Sequence, residues 1–483
     1  MGFSAVQRIV GFLIAASSLM MLPPILVSFW YKDGTAAVFF ACAAILLAAG
    51  MIIFYPVREA KHDLRIRHGF LIVVCAWLAW VLVGALPFVL LTHPHMSYID
   101  AVFESMSGLT TTGATIITDI EVLPRAVLYY RQQLQWLGGM GIIVLAVAIL
   151  PMLRVGGMQL YRAETPGPMK DAKLTPRITE TAKALWMIYF GITVTCIFAY
   201  WLAGMELFDA IGHAFSTVAI GGFSTHNESL AFWNNPTIEI VAMIFMAVAG
   251  INFALHFSAW RRASAQPYFF DPELKVYAVL LVSFATLVSF ALFFTGTYES
   301  LASSFRYGFF QVVSAMTTTG FTTAPFYQWT GFLPVLLICI AFIGGCAGST
   351  AGGMKVIRVI LLYKQSIREV RRLIHPHAVI PVKVGGQRTS DTVISAVWGF
   401  FFLYIANFAV MTVLLNATGL DAETAYSAVG ACITNLGPAL GDAGPNYATL
   451  NDPAKVILSI AMLLGRLEVY TLLVLLTPAF WRD

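Results

Sequence analysis

The stretch ESMSGLTTTGAT, residues 104–115, returns in closely similar form as VVSAMTTTGFTT, residues 312–323. Each copy places three threonines directly before a glycine, and each follows a short apolar segment. Glycine adopts backbone conformations that other residues avoid, whereas β-branched threonine is stiff and carries a hydroxyl group. The recurrence of this pattern predicts an internal repeat built around a glycine-bearing loop.

Composition places the chain in a membrane. Of its 483 residues, 59% are hydrophobic and 11% are charged, whereas soluble proteins contain about 25% charged residues. Several nearly uncharged runs are long enough to cross a hydrocarbon core of about 30 Å. These runs include residues 70–91, 185–201, 276–294, 396–415 and 456–476. The sequence therefore predicts an all-α polytopic membrane protein.

Lysine and arginine are distributed unevenly among the connections. Residues 55–69, 153–183 and 355–373 are rich in both, whereas residues 204–236 and 416–453 contain neither. Positively charged connections stay on the cytoplasmic side of a membrane. We therefore predict ten full spans with both termini in the cytoplasm, and we relate the net charge of +4 to orientation and not to nucleic acid.

The outer connections contain apolar stretches of about 10–14 residues, which are too short to span and are typical of re-entrant segments. Four such segments are similar to one another, and their glycines align as Gly113, Gly222, Gly320 and Gly437, about 100 residues apart. The segments are DAVFESMSGLTTTGAT (100–115), DAIGHAFSTVAIGGFST (209–225), FRYGFFQVVSAMTTTGFTT (305–323) and DAETAYSAVGACITNLGPAL (421–440).

The alignment predicts four units, each consisting of a span, a short re-entrant helix, a glycine-bearing loop and a second span. Two leading spans, residues 1–68, precede them. The units occupy residues 69–152, 153–264 (with a cytoplasmic linker), 265–375 and 376–483. Four units of this kind in one chain are expected to surround a central pore as four pseudo-symmetric repeats.

Backbone carbonyls would supply the chemistry of such a pore. A potassium ion must exchange its water shell for oxygen ligands, and rings of carbonyl groups provide them. Glycine permits the backbone angles that turn carbonyls inward, and a threonine hydroxyl adds a ligand or braces the loop. Each short helix would point its partly negative C-terminal end at the ion.

The chain resembles the pore-forming membrane subunit of the Trk/Ktr/HKT superfamily of potassium transporters, in its bacterial Trk form. The resemblance covers essentially the whole length. It rests on GLTTTGAT, AIGGFST, AMTTTGFTT, TNLGPALG, GGCAGSTAGGMK and GRLEVYTLL.

The resemblance implies one filter strand per unit, with K⁺ as the transported ion. The strands are Thr110, Thr111, Thr112 and Gly113; Ala219, Ile220, Gly221 and Gly222; Thr317, Thr318, Thr319 and Gly320; and Thr434, Asn435, Leu436 and Gly437. In strands two and four, other residues stand in place of all or most of the threonines of the TTTG pattern. Carbonyl ligands do not depend on the side chain, so coordination can survive that replacement. Fourfold symmetry, the hydroxyl ligands and the ratio of potassium to sodium transport do depend on the side chains.

The resemblance also implies channel-like potassium uptake across a bacterial inner membrane, without an organic cofactor. One chain would form one pathway and would assemble as a homodimer. A cytosolic ring of regulatory subunits that bind a nucleotide (NAD, ATP or ADP) would gate it by docking on the basic inner loops.

The stretch FIGGCAGSTAGGMK, residues 342–355, interrupts the second span of unit three with five glycines. A continuous helix disfavours them, because each costs about 1 kcal/mol relative to alanine. A close helix crossing remains an alternative, whereas a phosphate loop is disfavoured because no GK[ST] follows. The resemblance implies a flexible gating loop with Lys355 at or below its end. The glycines are Gly344, Gly345, Gly348, Gly352 and Gly353.

Arg466 lies near the middle of the apolar run 456–476, where a charge costs a few kcal/mol unless it faces water or a partner. One alternative is a structural pair with Glu468 or another acid, although residues i and i+2 do not share a helix face. The resemblance instead places this arginine beside the pore below the filter, where its charge repels the ion.

Two other classes of protein remain. A secondary symporter coupled to H⁺ or Na⁺ also uses repeats and broken helices, but its repeats are usually inverted, and these run parallel. An enzyme would show clustered reactive groups in the spans, whereas His213, His226 and His256 have no ligand spacing. The six cysteines form no CxxC pair and are expected to be small core- or lipid-facing residues.

Overall fold

The computed structural model describes residues 3–59, 66–92, 95–144 and 178–481, and most of these residues are helical. The basic connection 153–183 lies mostly outside the described residues, as does part of the connection 55–69. The all-α polytopic fold class is confirmed by the long apolar helices that follow.

The two leading segments form a closely packed pair. The first consists of α1 (Phe3–Ser17), a 3₁₀ turn (Ser18–Met21) and α2 (Leu22–Tyr31), and the second is α3 (Ala36–Phe54). Gly50 of α3 lies directly against Ala15 of α1, since a methyl group at Gly50 would approach the Ala15 backbone within 3.0 Å. Small residues of this kind let two helix backbones approach closely in a membrane.

The described helices are distributed over the four predicted units. Unit one contains α4 (Ile66–Gly84), α5 (Leu86–Leu90), α6 (Tyr98–Leu109) and α7 (Arg125–Val144). Unit two contains α8 (Ile178–Leu202), α9 (Leu207–Ala219), α10 (Pro236–Ala249) and α11 (Phe253–Arg262). Unit three contains α12 (Gln266–Phe270), α13 (Pro272–Phe294), α14 (Leu301–Thr317), α15 (Leu333–Ile343) and α16 (Val356–Ile374). Unit four contains α17 (Asp391–Asn416), α18 (Ala422–Ile433), α19 (Asp452–Arg466), α20 (Glu468–Leu476) and α21 (Pro478–Trp481).

A small hairpin connects α16 to α17. Lys383–Val384 pairs antiparallel with Gln387–Arg388, and Lys383 lies opposite Arg388. Gly385 and Gly386 form the two-residue turn with φ values of +57° and +81°. Positive φ at both central positions is the geometry that tight hairpin turns require, and glycine adopts it without strain.

The short helices α6, α14 and α18 begin at polar caps. The side chains of Ser97, Ser300 and Asp421 accept hydrogen bonds from backbone N–H groups three residues later, at 3.1, 3.0 and 3.1 Å. Such caps satisfy the N–H groups that the first turn of a helix leaves unpaired. Each of these helices ends where a predicted filter strand begins.

Six of the described helices are long and apolar enough to cross a membrane, or up to eight segments if each bent helix pair forms one span. Two of the ten predicted spans fall outside this set. One is α7, which carries a polar face, and the other is the 11-residue helix α15. The count of ten spans therefore stays a prediction.

The sequence predicts one broken inner helix, and the described part of the chain contains three. Helices α10 and α11 meet at 92°, and α19 and α20 meet at 114°. The third break is the long loop between α15 and α16. The apolar run 456–476, which has Arg466 near its middle, is therefore bent, because α19 ends at Arg466 and the chain turns there.

Unit four packs against unit one and closes the circle of units. The ammonium group of Lys455 lies 2.6 Å from a carboxylate oxygen of Asp100. Deeper in the protein, Nδ2 of Asn435 donates to the hydroxyl of Thr112 at 3.0 Å. Between units two and three, Arg306 forms a two-pronged ion pair with Glu239 at 2.7 and 2.8 Å.

The contact between Gly50 and Ala15 generates a stability prediction. Gly50→Leu should separate α1 from α3 and destabilise the fold by about 1–3 kcal/mol, the usual cost of overpacking. Gly191→Leu is the control, because a methyl group at Gly191 of α8 meets nothing within 4 Å. Thermal unfolding in detergent measures both variants, and an equal melting temperature would contradict the close crossing.

Candidate functional site

The four predicted filter strands share one backbone conformation. Their second residues are left-handed, at φ +53° for Thr111, +57° for Ile220, +63° for Thr318 and +58° for Asn435. Their glycines are also left-handed, at +84° for Gly113, +79° for Gly222, +83° for Gly320 and +93° for Gly437. The two strands that lack the threonine pattern therefore follow the same path as the two that have it.

The glycines bring the four strands together in a closed circle. A methyl group at Gly113 would lie within 3.0 Å of the carbonyl oxygen of Gly221, in the next strand. The same relation holds between Gly222 and Thr319, between Gly320 and Leu436, and between Gly437 and Thr112. Each strand thus presents the carbonyl before its glycine to the glycine of a neighbour, and the fourth strand returns to the first.

Each short helix holds its strand by the same hydrogen bond. The N–H group of the third strand residue donates back to a carbonyl near the helix end. The bonds are Thr112 to Ser107 (2.9 Å), Gly221 to Ser216 (2.8 Å), Thr319 to Ser314 (2.8 Å) and Leu436 to Ala431 (2.7 Å). These N–H groups are therefore satisfied by the helices, which leaves the carbonyl oxygens of the strands as acceptors.

Threonine hydroxyls brace the loops. Thr110 and Thr317 each donate to a carbonyl four residues earlier, at 2.7 Å, and each also bonds the hydroxyl two residues later, at 2.8 Å. Thr434 makes the equivalent bond to Gly430 at 2.8 Å. Of the two roles expected for these hydroxyls, bracing is the one that their contacts support.

The loop between α15 and α16, residues 344–355, lies against three of the filter strands; we call it the intramembrane loop. Its Gly353 N–H donates to the carbonyl of Thr434 at 3.0 Å. Gly352 N–H donates to the hydroxyl of Thr318 at 2.7 Å, and the hydroxyl of Thr350 donates to the carbonyl of Val218 at 3.0 Å.

The structure explains why glycine occupies all five of these loop positions. Gly344, Gly348 and Gly353 are left-handed, at φ +74°, +71° and +71°. A methyl group at Gly345 would collide with Ala351 and with the carbonyl of Gly250, and one at Gly352 would collide with the carbonyl of Thr434. The glycines therefore serve backbone conformation and close approach, and a simple helix crossing is excluded because the helix is interrupted here.

A single carboxylate holds both ends of the loop. Oε1 of Glu273, a buried residue in the first turn of α13, accepts the N–H of Ala347 at 2.8 Å and that of Ile357 at 3.1 Å. The break between α10 and α11 provides a second anchor. There the carbonyl of Gly250 accepts the N–H of Cys346 at 2.9 Å, and Phe253 N–H donates to Gly348 at 3.0 Å.

Arg466 lies beneath the strands and touches the intramembrane loop. Its Nη1 donates to the carbonyl of Thr350 at 2.9 Å, and its Nη2 donates to the carbonyl of Gly138 in α7 at 3.3 Å. The arginine is 3% exposed. Both hydrogen bonds end on backbone carbonyls, one in unit three and one in unit one. The side chain of Glu468, the acid considered as its partner, lies outside the described part of the chain.

Lys355 ends the loop, as the sequence predicts, but it binds its own loop through the carbonyl of Ala351. Lys355, Arg358 and Arg466 all line one cavity of about 50 Å³ beside the loop. Three cationic side chains around so small a volume raise the electrostatic potential there, which disfavours a cation.

Comparisons with known proteins identify relatives of this chain. A family model described as TrkH, cation transport protein, matches residues 35–482. The chain belongs to the TrkH family of cation transport proteins. A Trk system potassium uptake protein TrkH from Halomonas elongata is 54% identical, and one from Escherichia coli is 51% identical, each over 100% of both chains. The crystal structure of the potassium transporter TrkH from Vibrio parahaemolyticus superposes with a TM-score of 0.93 at 48% identity, again over 100% of both chains.

Membership of the TrkH family assigns the chain to transporters and not to enzymes. The four strands, the loop and Arg466 converge on one site, which unites every site residue expected from the sequence. Among the described residues, no group of three or more His, Cys, Asp or Glu side chains is arranged to hold a metal ion.

Sequence reasoning missed the residues that support this site. Glu104 and Arg131 form an ion pair behind strand one at 2.8 Å, and both side chains are 0% exposed. Gln135 contacts strand two, and Glu273 holds the loop. Each is an ionisable or polar residue within an otherwise apolar stretch. Such residues are functional candidates by default, so the signal was present in the sequence.

The Glu273 anchor predicts how the loop becomes accessible. Glu273→Leu removes the acceptor of two buried N–H groups, so the loop should open more often and expose Cys346, which is 1% exposed. Each of the two lost hydrogen bonds contributes about 1 kcal/mol, so the labelling rate of Cys346 in Glu273→Leu should be about tenfold or more above that of wild type. Mass spectrometry after a thiol reagent measures the rate at each cysteine.

The control for this experiment is Glu299→Leu, which changes an exposed carboxylate in the connection that follows α13, at the opposite end of that helix from Glu273. Cys432, which is fully buried behind strand four, provides an internal reference within each sample. If Cys346 reacts equally in Glu273→Leu and Glu299→Leu, then the carboxylate does not hold the loop.

Proposed function

We propose that this chain carries potassium into the cell through a channel-like pore formed by the four filter strands. The closed circle of glycine and carbonyl contacts carries the proposal, because it places one carbonyl from each strand around a common centre. Rings of carbonyls replace the hydration shell of a potassium ion. The relatives named as potassium uptake proteins support the choice of ion.

The intramembrane loop is the gate of this pore. It bonds strands three and four and the end of α9 just before strand two, and Arg466 joins it to α7 of unit one. In this arrangement the loop and the arginine lie across the path that leads away from the filter, so the conformation is closed. Opening requires the loop to leave these hydrogen bonds, each of which contributes about 0.5–1.5 kcal/mol.

A regulatory partner acts through α16, which continues directly from the loop. Arg371 and Arg372 stand exposed in the last turn of this helix. A cytosolic ring of nucleotide-binding subunits that prefers the open loop would shift the equilibrium by its difference in affinity for the two conformations. The name Trk system, carried by the relatives, supports a multi-component assembly. The family resemblance supports a homodimer in the inner membrane, and the basic connections support cytoplasmic termini.

Purified protein in liposomes tests this function. Potassium flux should exceed sodium flux and should follow the potassium gradient with or without an imposed proton or sodium gradient. Flux that depends on one of those gradients would favour the ion-coupled symporter. Equal potassium and sodium fluxes would contradict a potassium-selective pore.

The filter assignment predicts the effect of one glycine substitution. Gly320→Ser should lower the ratio of potassium to sodium flux by about an order of magnitude, which corresponds to about 1.4 kcal/mol. The added Cβ collides with the Leu436 carbonyl and displaces a ligand. Gly331→Ser is the matched control, since Gly331 is also left-handed (φ +73°) but meets nothing within 4 Å. Equal ratios in the two variants would refute the assignment.

If Arg466 acts through its charge, substitutions at this position should change potassium binding or flux only when they remove the charge. Arg466→Gln removes a positive charge below the filter, so potassium binding or flux should rise. A charge at about 8 Å contributes between about 0.5 and 2 kcal/mol, or roughly twofold to thirtyfold in binding. Arg466→Lys retains the charge and should stay near wild type. Flux measurements compare both with Arg372→Gln, an exposed arginine on α16.

The amount of folded protein shows whether Arg466 acts through its charge or through its packing. A guanidinium that serves only to join Thr350 and Gly138 would tolerate neither Gln nor Lys, because neither reproduces its two-pronged geometry. Equal loss of folded protein in both variants would therefore make Arg466 a structural residue.

A further inference from the structure

Filter strand two lacks a side chain at its third position. Strands one, three and four carry Thr112, Thr319 and Leu436 there, whereas strand two carries Gly221. The φ angle of Gly221 lies outside the left-handed region that favours glycine. The backbone therefore does not require glycine at this position, and its absence of a side chain needs another explanation.

The side chain of Gln135, from α7 of unit one, occupies the missing volume. A methyl group at Gly221 would lie within 3.0 Å of Cδ, Oε1 and Nε2 of Gln135. The Gln135 amide also pairs with the strand. Its Nε2 donates to the carbonyl of Gly221 at 2.6 Å, and its Oε1 accepts the N–H of Phe223 at 3.1 Å. Gln135 is fully buried.

Two neighbouring side chains of α7 continue the contact along the strand. Nη1 of Arg131 donates to the carbonyl of Ser224 at 3.2 Å, and Nε2 of Gln132 lies 3.5 Å from the carbonyl of Phe223. Arg131 and Gln135 are four residues apart and share one helix face. Arg131 is itself fixed by the buried carboxylate of Glu104. The polar face of α7 therefore contacts the third residue of strand two and the two residues that follow the strand.

We infer that Gln135 is a specificity-determining positioning residue of the pore. It supplies from a neighbouring helix the side chain that strand two lacks, and it sets the position of the Gly221 carbonyl in the circle. The inference rests on the proposed function. A carbonyl oxygen has two lone pairs, so Gly221 can accept from Gln135 and still offer the other lone pair to an ion.

Buried polar groups in a membrane make this support strong. Without water, the carbonyl of Gly221 and the N–H of Phe223 depend on protein partners, and an unpaired group costs several kcal/mol. Loss of Gln135 removes the amide that pairs with both groups, and the strand must move to satisfy them. Because the strands touch at every glycine, a shift in strand two changes the width of the whole circle.

The ratio of potassium to sodium flux in liposomes tests the inference. Gln135→Leu keeps the approximate volume but loses both hydrogen bonds, so the ratio should fall by about fivefold to tenfold. Gln133→Leu is the matched control. Gln133 lies on the same helix and donates to the carbonyl of Met20 at 2.8 Å, away from the strands. The ratio of potassium to sodium flux in Gln133→Leu should stay within about twofold of the wild-type ratio.

A side-chain exchange provides a second test that does not depend on the leucine variant folding. Gly221→Thr alone should collide with Gln135 and lose selectivity or folded yield. The double variant Gln135→Ala, Gly221→Thr returns a side chain to the strand, as in strands one and three. It removes the collision but not the loss of the two hydrogen bonds, so it should recover part of the potassium preference that Gly221→Thr loses.

The flux ratios of these variants support or overturn the inference. It is supported if Gln135→Leu loses selectivity while Gln133→Leu keeps it, or if the double variant recovers selectivity. A wild-type ratio in Gln135→Leu overturns it while leaving the proposed function intact. If Gln135→Leu does not fold, a double variant no better than Gly221→Thr overturns the inference. Wild-type protein without potassium preference would overturn the proposed function and this inference together.

Discussion

The structure depends on contact between the backbones of four strands, each with a left-handed glycine facing the carbonyl of its neighbour. A side chain cannot enter that space, so glycine is required at four positions for a reason that is both conformational and steric. The spans, the short helices and the caps at Ser97, Ser300 and Asp421 all serve to bring these four glycines to one centre. The threonines are secondary, since strand two has the same left-handed residues with no threonine and strand four has them with Thr434 alone.

Irregular backbone at membrane depth is tolerated only when protein or a watery cavity satisfies its polar groups. The intramembrane loop meets this requirement through contacts with units two, three and four. Glu273 accepts N–H groups at both of its ends, Gly250 accepts from Cys346, and Arg466 donates to the Thr350 carbonyl. The same hydrogen bonds that make the loop stable in a membrane also hold it against the filter. If the loop is the gate, as we propose, the same hydrogen bonds stabilise the loop and keep the pore closed.

The architecture was predictable from sequence wherever the physical signal repeats or is local. Gly113, Gly222, Gly320 and Gly437 recur at similar spacing, and the loop glycines interrupt an apolar run. The bend after Arg466 was not predictable, because no proline marks it and its cause is tertiary. Gly465 there packs against the carbonyl of Ile433. Likewise, the sequence shows that Gln135 and Glu273 are polar in apolar surroundings, but their partners come from remote segments of the chain.

The contacts between units one and four have a consequence for biosynthesis. Asn435 reaches Thr112 across 323 residues of sequence, and Lys455 reaches Asp100 across 355. Since a chain emerges from the ribosome in order, the wall between the first and last units stays absent until α19 has been made. Contacts so distant in sequence form slowly. During that interval the polar edges of strand one lie open to lipid or to chaperones, and a chain truncated before Lys455 cannot seal them.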